Sequence, residues 1–177
     1  MAAKWSKDKM ERWVTIYTDA GWKEGRARCG FIARGSVNPV WLTGSGGAMC
    51  DGVPAAEALA VLHALRKVGE QFAHPEGLEG FFIRSDNTQV VNTLQTQIKS
   101  AQARKRKLQG LSPSLQGDFR RAVRAIFDLC REREWTMLVK HVKAHGREPD
   151  RIRRWMNDRA DRLGNMRGRD PITGALL

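Results

Sequence analysis

Asp19, Glu57 and Asp86 are the side chains of this sequence whose type and setting point most directly to chemistry. Asp19 closes the run WVTIYTD, Glu57 lies early in PAAEALAVLHALRKV, and Asp86 closes FFIRSD. Carboxylates brought together in a cleft repel one another, so they either take up protons or recruit a cation. A site of oxygen ligands alone suits Mg²⁺ or Mn²⁺ rather than zinc. Two such ions about 3.5–4 Å apart activate a water and stabilise the leaving oxygen of an in-line phosphoryl displacement. The chemistry to expect from such a trio is that of a nuclease.

Three elements must position these acids. Val14, Ile16 and Thr18 alternate with Thr15, Tyr17 and Asp19 before the chain breaks at Ala20-Gly21, which predicts a strand with Asp19 at its carboxyl end. Phe81-Phe82-Ile83 predicts a second strand running into Asp86, and Asn87-Thr88 can cap a following helix with Val90, Val91, Leu94 and Ile98 on its apolar side. Open α/β sheets bind ligands just outside the carboxyl ends of their strands. Glu57 follows Pro54, a favourable first helical residue, and so falls in the opening turn of a helix, sharing a face with Val61, Ala64 and Val68. A lone Glu there would ordinarily do no more than favour the helix dipole, worth about 0.3–1 kcal/mol. Its place on the apolar side argues for more.

In order and spacing, TDAG, AAEALAVLHAL, RSDNTQVV, VKHVKAHG and MNDRADRLGN resemble type 1 ribonuclease H, over residues 13 to 166. The resemblance implies a ribonuclease H-like α/β fold, a five-stranded mixed sheet flanked by helices, in which three antiparallel strands join two parallel ones. It implies four metal-binding acids and two Mg²⁺ ions, with Mn²⁺ as the alternative. Three of the acids are Asp19, Glu57 and Asp86. The fourth falls on Asp161 by the family's pattern of Asn, two residues, a small residue and Asp, with Asp158 one helical turn earlier as the competitor. In the family's manner Asp19 would bridge both ions, Glu57 would serve the leaving-group side and Asp161 the attacking water. His145 in KAHG is the expected aid to proton transfer or product release, although a bare histidine there is ordinarily a surface residue. His141 reads as structural, and His63 and His74 have no catalytic context. A long loop from His145 to Asn157 carries Arg147, Arg151, Arg153 and Arg154.

Composition agrees with a polyanionic partner: 31 Lys and Arg against 19 Asp and Glu leave a net charge of +12 over 177 residues. The densest cluster, KSAQARKRK, places Lys99, Arg104, Lys105, Arg106 and Lys107 where ribonucleases H of this type often carry a basic protrusion. These residues, with Asn87 beside Asp86, are the expected nucleic-acid contacts; the ordinary alternative is a solvated charged helix end. The expected partner is an RNA–DNA hybrid and the expected reaction is hydrolysis of its RNA strand. One departure stands out. Where the family commonly has Asn or Gln to sense the RNA 2′-hydroxyl, this chain has Val53-Pro54. A structure-selective DNA nuclease resembling junction resolvases, or an inactive nucleic-acid-binding module of the same fold, are the alternatives. Trp135 and Trp155 are read as core residues more readily than as base contacts.

The length suits one domain, residues 13–166, between a basic extension (1–12) and a C-terminal tail (167–177) that reads as weakly structured. RCGFIAR and NPVWLTGSG predict two further strands, the first paired back on TIYTD, and residues 116–133 predict an amphipathic helix preceded by a break at Leu108–Pro113. The glycines of GSGGAMCDG lack the lysine of a phosphate loop and read as a turn. Cys29, Cys50 and Cys130 are an odd count without ligand spacing and fit reduced thiols. With no long apolar run and no secretory signal, the expectation is a soluble cytoplasmic protein, by default a monomer and with no membrane association.

Overall fold

The computed structural model describes residues 12–35, 41–70, 77–104, 117–144, 147–165 and 170–171. Strands β1 (Trp13–Lys23), β2 (Arg26–Gly35) and β3 (Trp41–Met49) form an antiparallel meander. Its first turn is Glu24-Gly25, both with positive φ (52° and 78°), a pairing whose twist matches that of the flanking strands. Helix α1 (Val53–Glu70) follows, then β4 (Gly80–Ser85), α2 (Thr88–Arg104), α3 (Gly117–Glu132), β5 (Thr136–His141) and α4 (Arg151–Gly164). β4 runs parallel to both β1 and β5. The order β3-β2-β1-β4-β5 is the mixed five-stranded sheet expected from the sequence, including the pairing of RCGFIAR back on TIYTD. A two-residue strand, β6 (Asp170–Pro171), adds to the outer edge of β3, so part of the tail pairs where a weakly structured segment was expected. A proline at such an edge needs no N–H on its outer side.

Each face of the sheet has its own core. Val14, Ile16, Phe31, Phe81, Ile83, Met137 and Val139 lie in the larger core with residues of α1, α2 and α3. Helix α1 is buried along most of its length because its small residues, Ala55, Ala56, Ala58, Ala60 and Ala64, let it sit between the sheet and α3. Asp51 and Asp118 exchange main-chain N–H to side-chain bonds at 2.9 and 3.1 Å, which ties the start of α1 to that of α3. On the opposite face Tyr17, Ile32 and Val142 pack with Met156, Ala160 and Leu163 of α4. This packing is close enough that a Cβ added at Gly30 would overlap the carbonyl oxygen of Ala160 and the nitrogen of Gly164. Trp135 belongs to the larger core, as expected, whereas Trp155 is exposed.

Four sequence expectations need correction. The strand expected to end at Asp19 continues through Ala20-Gly21 to Lys23, because β2 goes on pairing with it beyond the reach of β4, and the glycines of GSGGAM, expected in a turn, lie within β3, paired with β2. Residues 151–157 are helical rather than loop, because Asp150 Oδ1 accepts the Arg153 N–H at 2.9 Å and caps α4 six residues earlier than the apolar pattern suggests. Glu57 lies just beyond the first turn of α1, since the helix begins at Val53. The break at Leu108–Pro113 falls outside the described residues.

Candidate metal centre

The parallel pairing of β1 and β4 sets the site. Tyr17 and Arg84 are the last partners in register, and Asp19 and Asp86 each lie two residues further along. Both carboxyl groups therefore emerge at the same level of the sheet. Helix α1 brings Glu57 to them, and one carboxylate oxygen of each residue lies within 4.8 Å of the others. Asp161 joins from α4, its side chain hydrogen-bonded to that of Asp19. Asp158 makes no contact described with this group.

Asp86 is held from several sides. Its main-chain oxygen lies 3.1 Å from His141 Nε2, and Asn157 Nδ2 donates to its Oδ2 at 3.2 Å. Ser85 is locked in the sheet by the N–H of Val142, and its hydroxyl accepts the N–H of Asn87. Asn87 Oδ1 accepts the N–H of Val90 at 3.0 Å and so caps α2, the role expected of it in the helix start. Asn165 Nδ2 reaches Asp161 Oδ1 at 3.1 Å while its N–H ends α4.

Electrostatics mark the cluster as built for positive charge. Burial, then the Asp86 carboxylate and the hydrogen bond that the protonated Asp19 donates to Asp161, push the Asp19 carboxyl up to about 8, against a lowering by the main chain of Ala20. Glu57, only 5 % exposed, is held well above the usual carboxylate range by burial and by the charges of Asp19 and Asp86. Its buried Oε2 has no hydrogen-bond partner among the described residues. A buried acceptor without a donor is costly, and a divalent cation is the group that would satisfy it alongside two neighbouring carboxylates. The donor set is all oxygen, which fits Mg²⁺ or Mn²⁺.

Asn165 and Glu148 were not singled out by the sequence reading, and Asn157 entered it only as the first residue of the pattern that ends at Asp161. Asn157, Asp161 and Asn165 recur every four residues, a helical face that the spacing alone displays. Glu148 is buried; it accepts the N–H groups of Lys143 and Asp150, and the Arg154 guanidinium grips its main-chain oxygen at 2.7 and 2.9 Å. It thereby joins β5 to α4 on both sides of residues 145–146. His145 itself lies outside the described residues, as do Lys105, Arg106 and Lys107. Arg104 ends α2, and Lys99 is exposed on the same helix. His63 is buried, its Nε2 3.1 Å from the Ser45 oxygen and its ring edge-on to Phe31, a core role. No helix among the described residues is long and apolar enough to cross a membrane.

No protein-family model matches the chain, and no curated protein matches it by sequence. Solved structures match it by shape. The ribonuclease H1 of the halophilic archaeon Halobacterium salinarum superposes with a TM-score of 0.59 at 18 % identity, over 86 % of this chain and 95 % of that one. A compost-derived ribonuclease H1, LC11, solved in complex with an RNA/DNA hybrid, gives 0.57 at 17 % identity over 85 % and 92 %. The prototype foamy virus protease–reverse transcriptase gives 0.60 at 16 % identity, over 92 % of this chain and 21 % of that much longer one. With the strand order, the parallel β1–β4 pair and the extent of these superpositions, the chain has a ribonuclease H-like fold.

Proposed function

We propose that this protein is a metal-dependent endonuclease that hydrolyses the RNA strand of RNA–DNA hybrids, leaving 5′-phosphate and 3′-hydroxyl ends. The observation that carries the proposal is the convergence of Asp19, Glu57 and Asp86, with Asp161 hydrogen-bonded to Asp19, just beyond the last paired residues of β1 and β4. Two Mg²⁺ ions held by these four carboxylates would supply Lewis acidity to the attacking water and to the leaving oxygen. Asp19 and Asp86 would be the central ligands, with Glu57 contributed by α1 and Asp161 by α4. Asn157 and Asn165 orient Asp86 and Asp161, a task that outer partners commonly perform at metal sites. His145 is assigned to proton transfer or product release.

Lys99, Arg104, Lys105, Arg106 and Lys107 are assigned to the phosphate backbone of the duplex, and the net charge of +12 supplies long-range attraction to it. Asn87 is assigned a nucleic-acid contact through its amide nitrogen, since its oxygen caps α2. A monomer working in a cytosol-like compartment completes the reading.

Val53 is 45 % exposed at the start of α1, where a polar side chain would sense the 2′-hydroxyl. That observation favours a second reading, a DNA nuclease selective for junctions. The test is cleavage of one labelled sequence presented as RNA–DNA hybrid, double-stranded RNA, double-stranded DNA and a four-way DNA junction, with Mg²⁺ and with chelator, beside Asp86→Asn. Cutting confined to the RNA of the hybrid, and silenced by chelator and by the substitution, supports the proposal. Cutting of the junction replaces it with the second reading, and no cutting of any substrate rejects both.

A further inference from the structure

The face of the sheet that carries α4 is only partly covered. Helix α4 packs on β1, β2 and β3, while Phe82 on β4 and Leu138 on β5 remain 37 % and 38 % exposed. Leu138, Phe82 and Thr15 are side by side in register across three strands. Between this row and the start of α4 runs a groove of about 360 Å³. Trp13 and Phe82 form one wall, Ile152 and Met156 the other, and Thr15 and Tyr17 the floor. The wall is preassembled: the Trp13 and Phe82 rings lie 4.9 Å apart, and Glu79 accepts the Trp13 indole N–H at 3.1 Å. Ile152 is 64 % exposed and faces no covering element among the described residues.

Charge decides what fits. Arg34 lines the groove opposite Thr15; Lys140 lies next to Arg84 on the neighbouring strand, and Arg84 and Arg153 act on the Tyr17 hydroxyl at its floor. The nearby acids are already committed: Asp150 caps α4, Glu148 accepts main-chain N–H groups, and Glu79 holds Arg12 and Trp13. A second copy of a chain carrying +12 would meet the same cations. A nucleic-acid strand also uses aromatic surfaces beside cations, but here the facing wall is the aliphatic Ile152 and Met156, which suits an apolar side-chain anchor better than a stacked base. We propose that the groove docks an acidic segment of a partner protein, its aromatic or aliphatic anchors seated between Phe82 and Ile152 and its carboxylates meeting Arg34 and Lys140. Such an interface concentrates its energy in a few apolar anchors surrounded by a polar rim. It uses none of the four carboxylates and goes beyond the proposed hydrolysis.

The experiment pans a random dodecapeptide library against the full chain and measures the enriched peptides by fluorescence anisotropy on the unaltered protein, Phe82→Glu and Ile152→Glu. Both substitutions are at exposed positions, on different elements, and thermal melting verifies that each variant folds. The expected result is enrichment of peptides combining Asp or Glu with Phe, Trp, Leu or Ile. They should bind at least about tenfold more weakly to each variant and weaken with added salt. Hydrolysis of the hybrid should be unchanged in both variants. Absence of such peptides, or binding to either variant as tight as to the unaltered protein, overturns the proposal. So does loss of single-stranded oligonucleotide binding in the variants in place of peptide binding, or a dimer in sedimentation that either substitution abolishes.

Discussion

Asn157 Nδ2 donates to Asp86 Oδ2 at 3.2 Å across 71 residues of chain, linking the middle of α4 to the end of β4. The amide is 3 % exposed, and its Oδ1 has no partner among the described residues. An amide with one half engaged and the other half bare is held for the donor it offers Asp86. Asn157→Ala should therefore lower metal affinity or turnover by about 10–100-fold, the usual effect of removing an outer partner at a metal site. Titrating hydrolysis with Mg²⁺ checks this; an unchanged titration curve would mean that Asp86 is fixed by β4 and His141 alone.

The Asp19 carboxyl, pushed up to about 8, gives the metal-free protein a pH signature. A folded pKa above the unfolded value contributes stability that is full below about pH 3.8 and is lost as pH rises through about 8. In chelator, melting temperature should thus decline between pH 5 and pH 9 more in the unaltered protein than in Asp19→Asn. Mg²⁺ should restore stability at the alkaline end, because it binds the ionised carboxylates. Differential scanning calorimetry at several pH values reads both effects, and parallel curves for the two proteins would remove Asp19 as their source.

Gly30 and Gly164 meet where α4 crosses β2. Gly30→Ala forces a methyl group into backbone on both sides and should cost about 1–3 kcal/mol, measurable by urea unfolding. Activity should fall further than the lost stability explains, since moving α4 away also moves Asp161 and Asn157. Equal activity at full occupancy of the folded state would show that α4 adapts without disturbing the site.

All three cysteines are buried, and burial pushes the Cys130 thiol up to about 12 and raises that of Cys50. The folded protein should show almost no reaction with a thiol reagent at pH 8, and three equivalents should react after denaturation. Rapid labelling of one thiol in the folded state would indicate local opening near that residue.

The alternation in β1 was legible in the sequence because side chains in a strand point to alternate faces. The end of β4 was legible for the same reason, and Asn87 for its capping chemistry. The continuation of β1 past Asp19 was not legible, because Ala20-Gly21 reads as a break and only the pairing with β2 carries the strand on to Lys23. The N-terminus of α4 was not, because its first residues, Arg151, Arg153 and Arg154, are charged and its start depends on a cap at Asp150 rather than on an apolar stripe. The link between Asn157 and Asp86 was also hidden, since side-chain pairing between elements leaves no local period. Nor does any pattern reveal that Phe82 and Leu138 stay exposed: both alternate correctly, and it is the path of α4 over β1 to β3 that leaves them uncovered among the described residues.

The two residues of β6 have a consequence for how the molecule behaves in a crowded solution. β3 is glycine-rich, with Gly44, Gly46 and Gly47 offering little side-chain obstruction, and its outer edge would be a ready template for strands of neighbouring molecules. Asp170 and Pro171 occupy that edge at Gly46 and Gly47. The proline offers no N–H to a further strand. The sheet is thereby closed to growth on this side at its most permissive point, a safeguard against self-association.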